Sequence, residues 1–207
     1  MKKTIVTIGR QYGSGGREVG RRLAQRLGVP FYDKNLIDLA AKESGIDPKI
    51  FEQVDETAAS SLLYGLSMGN YMMGDAMGGG SFVTPINDKV FFAEADRIVK
   101  AAQEGPCVIV GRCADYILRK RGDVLPAFIY ASLQDRIDRA VREYGADPVR
   151  AKDAVHKTDK RRANFYNYYS SFSRKWGDLE HYSIALSTSA MNLDMAARLL
   201  ELLVRES

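Results

Sequence analysis

Four glycines, Gly9, Gly13, Gly15 and Gly16, fall within eight residues, and Arg17 and Glu18 follow them directly. Glycine has no Cβ, so a run this dense lets the backbone turn tightly and bring several N–H groups to bear on one anion. The residues before it, Ile5-Val6-Thr7-Ile8, form a β-branched run that reads as a buried strand. After it, Val19, Leu23 and Leu27 recur every four residues, which is one face of a helix. Strand, glycine loop and helix N-terminus together make a site for a phosphate group, because the first-turn N–H groups have no partner within the helix. Gly13, Ser14, Gly15, Gly16, Arg17 and Glu18 are therefore the candidate phosphate-binding residues.

Two known loop patterns compete for this stretch. A Walker A loop, G-x-x-x-x-G-K-[ST], requires a lysine and a hydroxyl residue. Matching Gly15-Gly16 to its glycine-lysine pair loses the lysine, and matching Gly16-Arg17 puts arginine in its place. Arg17 would then supply charge and two-pronged phosphate contacts. Glu18 stands near the hydroxyl position and would reach magnesium directly or through water, or simply complement the helix dipole. A dinucleotide loop, G-x-G-x-x-G, begins well at Gly13-Ser14-Gly15 but meets Glu18 at its third glycine. Asp33 lies about where that reading places a ribose-binding acid.

Two further groups could share the crevice. Gly111-Arg112 ends the apolar run Cys107-Val108-Ile109-Val110, so Arg112 sits at a strand end, with Asp115 three residues on as its expected partner. Lys157, Asp159, Lys160, Arg161 and Arg162 cluster on a basic helix that runs into Phe165, Tyr166, Tyr168 and Tyr169. Such a run is either a solvated helix face or a lid whose arginines neutralise transferring phosphoryl charge. His156 and His181 show no partner pattern, and Trp176 reads as a packing anchor.

The elements that must position these groups alternate. Strands are expected near Val29–Asp33, Cys107–Val110, Leu125–Ala131 and Ser183–Leu186, besides the first. Helices are expected after the glycine loop, at Leu36–Ala41, from Asp47-Pro48, from Asn87 or Asp88 to Gln103, at Ala114–Arg121, at Leu133–Tyr144, from Asp147-Pro148 to Tyr169, and from Asn192 or Leu193 to Val204. The apolar faces predict Val90, Phe91, Ala95, Ile98 and Val99 inward on one helix, and Ile137 and Val141 inward on another. About five strands with intervening helices predict an α/β, three-layer fold with a parallel sheet. Residues 60–85 are rich in glycine and methionine and read as a surface loop or a substrate-closing insertion.

The 207 residues, 45% of them hydrophobic, suffice for one core with an insertion. A net charge of +4 with no basic tail suits small polyanions and argues against nucleic acid. Cys107 and Cys113 have neither disulfide nor metal-ligand spacing, which points to a reducing cytoplasm. Neither a signal peptide nor a membrane-spanning run is expected.

The stretches I-T-I-G-R-Q-Y-G-S-G-G-R-E-V-G, F-Y-D-K, C-V-I-V-G-R-C-A-D-Y-I-L and D-K-R-R-A-N-F-Y, in this order, resemble the cytidylate kinase-like proteins, relatives of bacterial cytidylate kinase among the P-loop nucleoside monophosphate kinases. The resemblance runs nearly the whole chain. It implies one P-loop kinase-like domain over 1–207, with an acceptor-side helical insertion at 46–86 and a basic lid at 147–178. It also implies ATP or another nucleoside triphosphate as donor, Mg2+ as cofactor, and nucleotide ligands, with a homodimer left open. Arg112 falls where those kinases carry an arginine after a strand-end glycine. Asp159 and Arg162 repeat a D-x-x-R spacing that meets the monophosphate, and Asp33 matches an acid near the acceptor. Arg17, Arg112, Arg161 and Arg162 are then the charge-neutralising set. The sequence departs from the family at Gly16-Arg17-Glu18, where authentic cytidylate kinases carry the lysine and hydroxyl residue. A nucleotide kinase is the expectation, beside a nucleotide-sensing protein without turnover, or an oxidoreductase.

Overall fold

The computed structural model describes residues 4–33, 35–47, 50 and 86–207. The helix expected from Asp47-Pro48 and the glycine- and methionine-rich stretch lie almost wholly outside the described residues. Five strands, β1 Ile5–Arg10, β2 Phe31–Tyr32, β3 Cys107–Val110, β4 Val124–Tyr130 and β5 Ile184–Ser187, form one sheet in the order β2-β3-β1-β4-β5. Every pairing in it is parallel. β1 is central, with Ile8 facing Val110 on one side and Ala127 on the other. A strand covered on both faces must be apolar in both directions, and Ile5, Val6 and Ile8 are essentially inaccessible.

Seven α-helices cover the sheet among the described residues: α1 Gly16–Leu27, α2 Asn35–Ser44, α3 Ile86–Glu104, α4 Ala114–Ile117, α5 Leu133–Tyr144, α6 Ala151–Tyr169 and α7 Leu193–Glu206. Side chains of β1 alternate between two layers. Val6 and Ile8 pack with Val19 and Leu23 of α1 and with Ala197 and Leu200 of α7. Ile5 packs with Leu36 of α2, Ile98 of α3 and Ala114 of α4. Burying Val19 and Leu23 stabilises by about 1.5–3 kcal/mol each. Gly20 lets α1 lie close to the sheet, since a Cβ there would come within 2.9 Å of Val110 and 3.0 Å of Ile8. α5 and α6 meet each other and reach the glycine loop through side chains described below.

This is the three-layer α/β fold with five parallel strands expected from the sequence. The dinucleotide alternative fails on strand order: there the first strand lies beside the second, and here β3 stands between them. Some boundaries and faces also differ. β2 is shorter than Val29–Asp33, α4 ends at Ile117 and not Arg121, and α6 starts at Ala151, past Asp147-Pro148. On α3 the buried positions include Glu94 and Arg97, while Val99 is exposed. On α5, Arg136 and Ala140 are buried and Ile137 and Val141 only partly so. Both reversals have one cause: a charged side chain with an ion-pair partner can be buried. Glu94 meets Arg112, Arg97 meets Glu104, and Arg136 meets Asp159.

Candidate active site

The loop between β1 and α1 turns on Gly13 and Gly15, with φ of 79° and 75°. Both lie in the left-handed region that only glycine visits freely. Ser14 is fully buried. Its hydroxyl donates to the Gln11 carbonyl at 2.8 Å and accepts from the Gly16 N–H at 3.3 Å. Thr188, just beyond β5, donates its hydroxyl to the Ser14 carbonyl at 2.7 Å. The Ser14 side chain therefore braces the loop, and its backbone is engaged as well, the N–H donating to the Gln11 carbonyl at 3.3 Å. Gly15 is the N-cap of α1, so the positive end of that helix opens into the loop.

α5 and α6 hold the loop from outside. The Tyr12 N–H donates to one carboxylate oxygen of Asp159 at 2.7 Å, and the other oxygen takes Arg136. Arg139 donates to the Gly13 carbonyl at 2.8 Å. Arg162 donates to the Arg10 carbonyl at 3.1 Å and lies 5.7 Å from the centre of the Tyr12 ring. Burial draws the Arg162 guanidinium below the usual arginine range, against the opposing pull of Asp159, then Tyr12 and Asp33. Both predicted acids, Asp33 and Asp159, thus act on Arg162. Arg161 is half-buried beside it on α6.

Arg17 projects from the first turn of α1 and is mostly exposed, but its guanidinium is held by the nearly buried Asp33. The hydrogen bond to Asp33 holds its pKa above the usual arginine range. Glu18 turns the other way and accepts from the Tyr144 hydroxyl at 3.1 Å. Arg112 sits in the left-handed region with φ 56°. Its partner is the buried Glu94 of α3, at 3.0 Å. The expected partner, Asp115, instead accepts from the Tyr166 hydroxyl at 2.6 Å, because it opens the short helix α4 and points under α6.

That contact belongs to the anchor of α6. Tyr169 stacks on Phe91 at 3.7 Å, with Phe165 edge-on to both. The aromatic residues after the basic run are thus packing, and they fix the helix carrying Asp159 and Arg162. Trp176 packs edge-on against Phe128, as expected of an anchor. Burial raises the Asp115 carboxyl above its usual range, and the Tyr166 hydroxyl, by favouring the charged form, works against that rise. Tyr166→Phe is expected to destabilise the protein by about 1–3 kcal/mol. The hydroxyl favours the carboxylate, so its loss costs most above the raised folded pKa and less as falling pH protonates Asp115. Melting curves of the variant and the parent at pH 5 and pH 8 check this, the gap being wider at pH 8.

Sequence reasoning missed Arg10, Arg136, Arg139 and Glu94. Arg136 and Arg139 sit on an amphipathic helix whose apolar spacing points to Ile137 and Val141 instead. Only the three-residue spacing of Arg136 and Arg139 hinted that two arginines share a face. Cys107 and Cys113 are buried free thiols. Burial pushes Cys107 up to about 11 and raises Cys113 also.

The donor set fits a nucleoside triphosphate: left-handed glycines, a helix N-terminus, and Arg10, Arg17 and Arg162 around the loop. No group of three His, Cys, Asp or Glu gathers in metal-binding geometry among the described residues. Magnesium on a nucleotide needs less, since it keeps several waters and takes most protein contact from one or two carboxylates. Asp33, at the neighbouring strand end beside Arg17, is the carboxylate placed for that limited role, since Glu18 turns away from it to Tyr144. Bound there, the ion would neutralise phosphate charge.

A parallel sheet in this order, with a glycine loop closing its central strand onto a helix, defines a P-loop kinase-like α/β protein. The chain belongs to the cytidylate kinase-like family, whose model matches residues 5–190. It is similar to a cytidylate kinase of Methanopyrus kandleri, 23% identical over 92% of this chain and 87% of that one. A shikimate kinase of Ruegeria pomeroyi is 46% identical, but over only 27% of this chain and 28% of its own length. Among solved structures, an uncharacterised protein from Eubacterium ventriosum superposes with a TM-score of 0.70 at 25% identity, covering 99% of this chain and 100% of that one. Shikimate kinase from Bacteroides thetaiotaomicron shares the fold with a TM-score of 0.56 at 12% identity, covering 98% of each chain. Among the described residues no helix is long and apolar enough to cross a membrane.

Proposed function

We propose that the protein is a phosphotransferase that moves the terminal phosphoryl group of ATP, or another nucleoside triphosphate, onto a nucleoside monophosphate or similar small acceptor. The observation that carries this reading is the glycine loop at the α1 N-terminus held in one cluster with Arg162, Asp159 and Asp33. The backbone N–H groups of Gly13, Gly15 and Arg17 receive the donor phosphates, those of Ser14 and Gly16 being used within the loop. Arg162, with Arg161 beside it and Arg112 at the end of β3, neutralises charge on the group in transit, since this chemistry is mainly positioning and electrostatics. Asp33 and Asp159 hold the acceptor side. In the reaction the bond between the γ-phosphorus and its bridging oxygen breaks, and a bond to an acceptor oxygen forms. Residues 147–178, which carry Asp159, Arg161 and Arg162, are the lid segment of this reading.

A second reading is a nucleotide sensor without turnover. One observation favours it: Arg17, the arginine that could replace the loop lysine, is engaged by Asp33. Incubation with ATP, Mg2+ and a panel of nucleoside monophosphates separates the readings. ADP formation that depends on one acceptor is expected; nucleotide binding with no ADP from any acceptor would leave only the sensor.

A further inference from the structure

Gly16 stands at the lysine position when Gly15-Gly16 is matched to the glycine-lysine pair of a phosphate-binding loop. What fills the vacated space is Arg10. A Cβ built on Gly16 would meet the Arg10 Cβ at 2.6 Å and its Cγ at 3.2 Å, with Ile129 at 3.1 Å behind. A side chain at residue 16 and the stem of Arg10 cannot both be present without a shift. Arg10 is the last residue of β1 and alternates with Val6 and Ile8, the face covered by α1. Its guanidinium reaches across to the end of β3. There a Cβ on Gly111 would overlap the Arg10 Nη1 outright and lie 2.8 Å from Cζ. Gly111 also has φ 78°. Two bare Cα atoms on separate elements therefore bracket one arginine, at the α1 N-terminus and beside Arg112. Arg162 holds the Arg10 carbonyl, so the two residues are fixed side by side.

We propose that Arg10, entering from the strand, replaces the missing loop lysine as the cation that binds the donor phosphates. This rests on the phosphotransferase reading above and adds to it the source of the charge. A guanidinium remains ionised at any working pH and can engage two phosphate oxygens at once. Glycine at 16 and at 111 is what its path demands.

The test uses inorganic tripolyphosphate as a probe of phosphate binding, titrated by calorimetry into the full chain, with melting curves and ADP formation measured on the same samples. Arg10→Met keeps the stem and removes the charge; it is expected to weaken tripolyphosphate binding by about ten- to a hundred-fold. Arg10→Lys is expected to lose less. Arg10→Gly with Gly16→Lys removes the Cβ contact and returns a lysine to the loop, and it should bind more tightly than Arg10→Gly alone. That comparison remains available if Arg10→Met does not fold. Tripolyphosphate binding unchanged in Arg10→Met, or no gain from Gly16→Lys, overturns the assignment. Arg10-dependent binding without ADP from any acceptor upholds Arg10 and defeats the phosphotransferase reading. ADP formation equal in the parent and Arg10→Met does the reverse, and a parent that binds no tripolyphosphate overturns both.

Discussion

Gly13→Ala is expected to lower stability by about 2–5 kcal/mol and to abolish donor binding. Two costs add. The residue has φ 79°, where an L side chain is strained. The new Cβ would also drive into the backbone carbonyl of Arg136, with the Arg136 carbonyl carbon and Cα at 2.9 Å. Backbone cannot swing aside as a side-chain tip can, so either the loop or the start of α5 must move. Moving α5 would disturb Arg136 and Arg139, which tie it to Tyr12 and Gly13. For a chain of this size the expected fall in melting temperature is roughly 5–15 °C. Gly28→Ala is the control. It shares the left-handed conformation, φ 67°, but nothing lies within 4 Å of its added Cβ. It should cost only the conformational part, about 1–2 kcal/mol, and leave nucleotide binding alone. Equal losses in the two variants would show that the contact with α5 contributes nothing.

Asp159→Ala should be comparably damaging for a different reason. Asp159 satisfies the Tyr12 N–H and neutralises Arg136, whose side chain is 9% exposed. Removing the carboxylate leaves a nearly buried guanidinium unpaired, at a cost of about 3–5 kcal/mol. It also frees the loop from α6. The distinguishing measurement is the double variant. Asp159→Ala with Arg136→Met no longer strands a charge, so denaturant melts should show much of the stability restored. Nucleotide affinity should stay low, because the tie to Tyr12 is still missing. If the double variant is as unstable as Asp159→Ala, the ion pair is not the source of the loss.

The layers of the fold were legible because burial on both faces of a strand demands an unbroken apolar run, and Cys107–Val110 supplies one. The position of β3 between β1 and β2 was not, since periodicity says which residues are buried and nothing about which strand is next. The phosphate loop was legible from the density of its glycines. Its individual reasons were not: Gly13 makes room for the backbone of α5, and Gly16 makes room for Arg10. Both neighbours come from elsewhere in the chain. Arg10 was invisible because the apolar run predicts a strand ending at Ile8, which leaves Arg10 inside the glycine loop with no face assigned to it, whereas β1 runs on to Arg10. Val99 and Ile137 misled in the opposite sense. Apolar spacing assigned them to the core, while Glu94 and Arg136 took the inward positions with partners from other elements. Asp115 next to Arg112 suggested a local pair, but the left-handed turn at Arg112 and Cys113 sends the two side chains to different helices, α3 and α6.

The most direct test of the account is ADP release from ATP and Mg2+ by the full chain, measured with each nucleoside monophosphate in turn and without any. A phosphotransferase built on this glycine loop predicts ADP that appears with an acceptor, in step with a phosphorylated acceptor product, and that is lost in Gly13→Ala. Binding of ATP without ADP above the acceptor-free control, for every acceptor, would contradict it.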